Sequence, residues 1–436
     1  MSFPRLAYTV LVWLAMPLAA LYLLWRSRRQ PAYRAHWGER FGWARYAVDS
    51  KRPVIWIHAV SVGETRAAEP LIAALAERFP QHGFLLTHMT PTGRATGAEL
   101  AARWPGRIAQ VYLPYDMPFA VRRFLRAYTP VIGLGMETET WPNLLAESRV
   151  AGVPLVLVNA RLSERSLAKG QKVARLMREA ARSFTKVLAQ TTADAGRLRT
   201  LGAENVEVIG NLKFDFTPDP AQLERGRSFR AAARRTVLLF ATTREGEEAL
   251  LLDALAQADA PARADVLIVI VPRHPQRFDD VARLIEARGW PLLRRSSVTD
   301  WSAAAACADR TVVLGDSMGE MAMYYASSDV AFVGGSLLPL GGHNLIEACG
   351  VEVPVVVGPH TFNFAQAAED AIAAGAAERV GDAPGVVAAM LRIANDGLLR
   401  ESMSQAALRF SQQHRGATAR AVEQIAPLVA ARTRLR

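Results

Sequence analysis

The chain has 436 residues, half of them hydrophobic and 21% charged. That composition excludes a disordered or fibrous protein, and the length exceeds one ordinary core, so two domains are expected. Fifty-two Lys and Arg against 41 Asp and Glu leave a net charge of +11, which suits nucleic acid, anionic lipid or phosphorylated small molecules without choosing among them.

The first element is "LAYTVLVWLAMPLAALYLLW", residues 6–25, an uncharged stretch of about the length needed to span a bilayer. Arg26, Arg28 and Arg29 follow at once and Arg34 and Arg40 soon after, whereas only Arg5 precedes it. The positive-inside rule then leaves the large carboxy-terminal body in the cytoplasm. A signal peptide would carry its charges before the apolar run. A helix lying in the interface stays open, given Pro17 and Thr9. Residues 1–30 are read as a membrane anchor with a basic flank. Two cysteines, Cys307 and Cys349, sit outside any Cys-x-x-Cys pair, which argues against a disulfide framework or a structural zinc site.

Beyond the anchor, apolar strands alternate with helical segments. "PVIWIHAV", "HGFLLTHMT", "RIAQVYLP", "PVIGLGME", "PLVLVNAR" and "KVLAQT" read as strands in the first half. "TVLLFAT", "DVLIVIVP", "TVVLGD", "DVAFVGG" and "PVVVGP" do so in the second. Runs that are apolar throughout imply parallel sheets covered on both faces, hence an α/β chain. The break falls in "GNLKFDFTPDPAQ", residues 210–222, where Gly, Pro and Asp cluster. The expectation is two doubly wound Rossmann-like domains, 31–215 and 216–436, facing an interdomain cleft where ligands bind. The helices after about residue 400 could cross back onto the first domain.

Ser61-Val62-Gly63-Glu64 has the spacing of a capping box, and Thr242 to Glu245, Ser317 to Glu320 and Asn344 to Glu347 repeat it. Glu64 is therefore a helix cap or a base at a strand end. Glu137 and Glu139 could share a proton or hold a metal, or simply end a strand. Lys213 lies at the expected hinge, facing the cleft or solvent. Pro272, Arg273 and His274 follow a strand and suit a phosphate, or form a turn between prolines. "FVGGSLLPLGGHNLIEA", residues 332–348, is glycine-rich before a helix start, a setting that lets a backbone approach a phosphate. The Gly-x-Gly-x-x-Gly and Walker fingerprints, zinc-ligand spacings, His-Glu-x-x-His and Asp-x-Asp are all missing. Nucleic acid is disfavoured because basic and aromatic residues do not interleave.

"HAVSVGETRAA", "PYDMP", "METETWPNLL", "NARLSERS", "GNLKFD", "VPRHPQRF", "GDSMGEM", "FVGGSLLPLGGHNLIEA" and "GPHTFNF" occur in this order. Together they resemble the 3-deoxy-D-manno-octulosonic acid (Kdo) transferases of lipopolysaccharide synthesis. The resemblance implies a GT-B fold behind a membrane helix, on the cytoplasmic face of the inner membrane. It implies transfer of Kdo from CMP-Kdo to a lipid A precursor, lipid IVA, with inversion and with neither metal nor cofactor. It assigns Glu64 as proton acceptor, and Glu137 and Lys213 as transition-state stabilisers. The CMP site it implies comprises Pro272, Arg273, His274, Met318, Gly319, Glu320, Gly341, Gly342, His343, Asn344, Leu345, Ile346 and Glu347. Arg122, Arg123 and Arg126 are candidates for acceptor or membrane contact. An alternative is a nucleotide-sugar epimerase of the same twin-domain layout, against which the membrane segment argues.

Overall fold

The computed structural model describes residues 2–28, 30–43, 52–215, 217–258 and 265–434. Arg29, counted above in the basic flank, lies outside the described residues. The chain divides into two compact units, Met1–Asp215 with Arg415–Arg436, and Phe216–His414.

The first unit opens with helix α1 (Phe3–Ser27), long and apolar enough to cross a membrane by length and composition. Its sheet comprises β1 (Val54–His58), β2 (Gly83–His88), β3 (Ile108–Tyr112), β4 (Ile132–Met136), β5 (Leu155–Ala160), β6 (Lys186–Ala189) and β7 (Val206–Val208). All seven pair in parallel, in the order β3-β2-β1-β4-β5-β6-β7. Every residue of β1, β2 and β5 is buried, as expected for strands covered on both faces. Helix α2 (Val62–Arg78) sets Leu71, Ile72 and Leu75 against one face. The other face packs Trp56 against Phe124 at 5.1 Å.

The second unit repeats the plan. Its strands are β8 (Thr236–Thr243), β9 (Val266–Pro272), β10 (Leu292–Arg294), β11 (Val312–Leu314), β12 (Val330–Val333), β13 (Val355–Val357) and β14 (Ala377–Arg379). The order is β10-β11-β9-β8-β12-β13-β14, again all parallel. In both sheets the strand order reverses beside the first strand, between β1 and β4 and between β8 and β12. A sheet of this kind leaves a crevice at the carboxyl end of that switch point.

The second domain expected from sequence ran to residue 436, with its last helices free to cross back onto the first. In the structure the helix Gly397–His414 stays with the second unit, while Ala417–Arg434 belongs to the first. The reason is an apolar stripe. Ala417, Ala421, Ile425 and Val429 recur every four residues and are fully buried in the core that α2 covers. Asp215 fastens the turn before it, accepting from the backbone N–H of Gly416 (2.6 Å) and Thr418 (2.5 Å).

Ile425→Ala should lower the stability of the first unit by about 2–5 kcal/mol, through lost burial and a residual cavity. Denaturant unfolding monitored on that unit's tryptophans checks this; a loss below 1 kcal/mol would mean the stripe is not core.

Candidate active site

The chain after β1 turns sharply into α2, and the capping box forms with its return bond shifted by one residue, to Val60 instead of Ser61. Ser61 Oγ accepts from the Glu64 N–H (3.4 Å), and Glu64 Oε2 accepts from the Val60 N–H (2.8 Å). Glu64 Oε1 also accepts from the Ser61 hydroxyl (3.1 Å). The other three spacings do not close this way. The helix after β8 starts at Glu247 behind Gly246, leaving Glu245 outside it. Ser317 Oγ donates to Glu320 Oε2 (2.6 Å), but the helix begins only at Met321. Asn344 caps Ile346 N–H (3.1 Å) and donates to Glu347 (3.1 Å), again without the reciprocal bond.

Glu64 is nonetheless not an ordinary cap. Burial raises its pKa, the Val60 N–H opposes that, and the charges of Glu139 and then Glu137 raise it further against His58. The sequence posed a helix terminus, which favours the carboxylate, against burial and Glu137. Burial prevails, and Glu139 contributes more than Glu137.

Glu137 follows β4 at φ 55°, a left-handed conformation costly for a residue with a side chain. Its buried carboxylate is held from two sides, by Lys213 Nζ (2.8 Å) and by Arg161 Nε (2.8 Å). The structure thus brings Lys213 to Glu137 across 76 residues of chain, and adds Arg161, which sequence reasoning passed over within "NARLSERS". A second pair lies beside it. Glu139 Oε2 accepts from Trp141 Nε1 (2.6 Å) and sits 3.2 Å from His58 Nε2, whose other nitrogen meets Thr87. His58 went unnoticed because a histidine ending an apolar strand reads as core. Asn159, at φ 55° where β5 bulges against β6, accepts the Leu212 N–H (3.0 Å) and so positions the turn bearing Lys213.

In the second unit β8 bulges at Thr242 (φ 53°) and delivers Arg244 to the switch point. The loop after β12 runs against it so closely that a Cβ on Gly334 would stand 2.7 Å from the Thr242 carbonyl oxygen. Glu247, fully buried, ties the two loops together. Its carboxylate accepts from the backbone N–H of Arg244 (2.9 Å), Gly335 (2.7 Å) and Leu337 (3.0 Å). Arg273 and His274 follow β9 next door, with the Arg273 N–H donating to the Thr243 carbonyl (2.9 Å).

Cationic charge accumulates here. Burial, then Arg273, Arg244 and His274, depress His343 to about pKa 3. Burial, then Arg244, Arg273 and Arg277, lower His274. Both imidazoles are therefore neutral at pH 7 and surrounded by guanidinium groups. Among the described residues, Nε2 of His343 and Oγ1 of Thr242 are buried without a hydrogen-bond partner, which marks a place suited to a polar group from outside the chain. Arg244 and Thr242 entered the sequence reading only as part of the capping-box spacing Thr242 to Glu245.

Not every predicted residue offers a side chain. Leu345 and Ile346 are buried in the core, so only their backbone could face a ligand. Met318 is exposed and Gly319 is left-handed (φ 77°). Glu320 pairs with Arg225 and Arg295, both at 3.1 Å. Gly341 and Gly342 (φ 95° and 73°) shape the loop entering His343, and Pro272 ends β9. Arg122, Arg123 and Arg126 lie exposed on the helix Pro118–Tyr128, away from Glu64, with Arg123 over the Trp43 ring at 5.0 Å.

Two parallel sheets of this order, each with charged groups at its switch point, define a protein of the GT-B fold. Solved neighbours agree: HepE of Anabaena in complex with UDP (TM-score 0.57, 15% identity, 87% of this chain and all of that one) and the UDP-GlcNAc 2-epimerase of Neisseria meningitidis (TM-score 0.57, 16% identity, 86% and all). At such identities they speak for the fold alone. The family model for 3-deoxy-D-manno-octulosonic-acid transferase matches residues 35–216. Curated 3-deoxy-D-manno-octulosonic acid transferases align over nearly the whole chain. That of Bordetella pertussis is 46% identical across 93% of this chain and 96% of its own, and that of Haemophilus influenzae 33% across 97% and 98%. The chain belongs to the Kdo transferase family.

The electrostatics of Glu64 make a prediction with a definite sign. A raised pKa means the carboxylate form is lost, as pH falls, above the 4.5 of an ordinary glutamate. Glu139→Gln removes a charge that raises it, so the acid limb of the pH–rate profile should move to lower pH. An unmoved or upward-shifted limb would show that Glu139 does not act on this group.

Proposed function

We propose that this glycosyltransferase moves Kdo from CMP-Kdo to a hydroxyl of a lipid A precursor, lipid IVA, with inversion at the anomeric carbon. The acceptor oxygen forms a bond to that carbon as the bond to the CMP phosphate oxygen breaks. The hydroxyl proton goes to Glu64, and the electron pair of the broken bond leaves with CMP. The observation that supports this reading best is a half-buried Glu64 whose proton affinity is raised although two donors hold its carboxylate in place. A base that is positioned and only modestly acidic is what proton abstraction from a sugar hydroxyl needs.

Lys213, with Arg161 beside it, puts fixed positive charge next to Glu137. Such a preorganised cluster can stabilise charge that develops on the Kdo carboxylate or leaving phosphate. In the second unit Arg244, Arg273 and Arg277 around neutral His274 and His343 suit the CMP phosphate, with His343 Nε2, which has no partner among the described residues, available to it. Glu347 brings a carboxylate able to accept from ribose hydroxyls, as acidic residues do in nucleotide sites. Both substrates are anionic, which gives the +11 charge a use. The helix α1 would hold the body at the cytoplasmic face of the inner membrane, where its lipid acceptor is.

Two outcomes are expected with purified full-length protein, CMP-Kdo and a tetraacylated lipid A precursor. Glu64→Gln should lower turnover by about 10²–10⁴-fold while CMP affinity stays at the parent value, read by mass spectrometry of the lipid and by calorimetry. Near-parental turnover would remove Glu64 from the role of base. Arg273→Ala should weaken CMP binding by about 10- to 100-fold, the value of a charge-assisted hydrogen bond of roughly 1.5–3 kcal/mol; unchanged affinity would move the phosphate elsewhere.

A further inference from the structure

Two of the sequence motifs have no part in the reaction above: "PYDMP" (residues 114–118) and the "WPNLL" end of "METETWPNLL". The structure joins them. The Asp116 carboxylate accepts from the backbone N–H of Asn143 (3.0 Å) and Leu144 (2.7 Å), which open the helix Pro142–Val150. Asn143 Nδ2 donates back to the Asp116 carbonyl (2.8 Å). Both residues are buried, and each presents an oxygen to α1, Asp116 through the same Oδ2 that accepts from Asn143. Tyr8 OH donates to Asp116 Oδ2 (2.9 Å), and Thr9 Oγ1 donates to Asn143 Oδ1 (3.1 Å).

Further contacts extend this fastening along the helix. Ser2 Oγ donates to Glu179, the Trp13 ring stacks on Phe119 at 5.3 Å, and Arg34 Nε donates to Ser27 Oγ (2.9 Å) at the far end. The less exposed positions of α1 recur at helical spacing from Thr9 through Val12, Met16, Ala20 and Leu23 to Ser27. One face of α1 therefore lies on the first unit over most of its length. The opposite face, with Phe3, Leu11, Leu14, Leu18, Leu21 and Trp25, is apolar and exposed.

Crossing a bilayer takes about 20 residues through about 30 Å of hydrocarbon, nearly all of α1. It would strip Tyr8 and Thr9 from Asp116 and Asn143 and leave their hydroxyls to lipid, where unpaired polar groups are costly. Spanning and docking exclude each other. Taking as its basis the reading of α1 as a membrane anchor, we propose that α1 does not cross. It lies along the body and sets its outer face into the surface of an anionic bilayer. Charge selects this occupant. Arg26 and Arg28 end the helix, and Arg122, Arg123 and Arg126 line the exposed side of the helix whose Phe119 receives Trp13, with Trp43 exposed beneath Arg123. An apolar strip beside clustered arginines fits acyl chains below anionic headgroups.

The test uses the full chain with protease-cleavable tags ahead of Met1 and after Arg436, in sealed membrane vesicles from expressing cells. Both tags should be lost from the same side. In parallel, Trp13→Cys with Phe119→Cys, in a Cys307→Ser background, should be joined by a short thiol crosslinker while the protein is vesicle-bound. Tags cut from opposite sides, or no crosslink in vesicle-bound protein, overturns the docked helix yet leaves α1 a membrane anchor. Protein that ignores phosphatidylethanolamine–phosphatidylglycerol vesicles, including one that instead pairs through this face with a second copy, overturns both.

Discussion

A parallel sheet buried on both faces sends the carboxyl ends of all its strands to one edge. Backbone donors and acceptors that the ladder no longer uses must be satisfied there by whatever the next loop brings. In the first sheet that edge holds Glu64, Glu137, Glu139 and Arg161; in the second it holds Arg244, Arg273, His274 and the glycine-rich loop. The switch in strand order opens a gap beside the first strand, and in each unit the crowded charges stand at that gap. The backbone records the cost. Glu137, Asn159 and Thr242, all non-glycine residues with φ near 55°, sit at or just past strand ends.

The two units use the same physics with opposite sign. Burial disfavours the charged form of any titratable group. On Glu64 it prevails over a helix terminus and a backbone hydrogen bond, so a carboxylate gains proton affinity. On His343 it acts together with the guanidinium charges of Arg273 and Arg244, so an imidazole loses its proton. One unit thus presents a group able to take a proton, the other a neutral ring among fixed guanidinium charges. Glu137 stands apart from both because Lys213 and Arg161 balance it directly.

Much of this could be read from the chain. Strands apolar throughout, such as "DVLIVIVP", announced a parallel sheet, and the Gly, Pro and Asp cluster near residue 215 marked where one core stops. The motifs named Glu64, Glu137, Lys213, Arg273 and His274. What stayed hidden were partners supplied from far along the chain: Arg161 and His58 in the first unit, Arg244 and Glu247 in the second. Spacing also misled. Four Ser/Thr/Asn-x-x-Glu segments look alike, yet only at Ser61–Glu64 does the first residue cap the Glu N–H while the Glu carboxylate accepts a backbone N–H ahead of the helix, because only there does the helix begin directly after the cap.

Alone, the sequence determined the class of fold, the family and the residue types at the strand ends, since these rest on local periodicity and ordered motifs. It also determined that residues 6–25 are apolar enough to meet a membrane. Tertiary structure decided what no local pattern contains. Ala417–Arg434 joins the first unit because its apolar stripe is completed by α2, residues earlier by more than three hundred. Tyr8 and Thr9 turn one face of α1 toward the body because their hydroxyls donate to buried oxygens of Asp116 and Asn143. Glu64 gains proton affinity because folding buries it and brings the charges of Glu139 and Glu137, past β4, close to it. Each of these depends on a sum over contacts distant in sequence, and that sum exists only once the chain has folded.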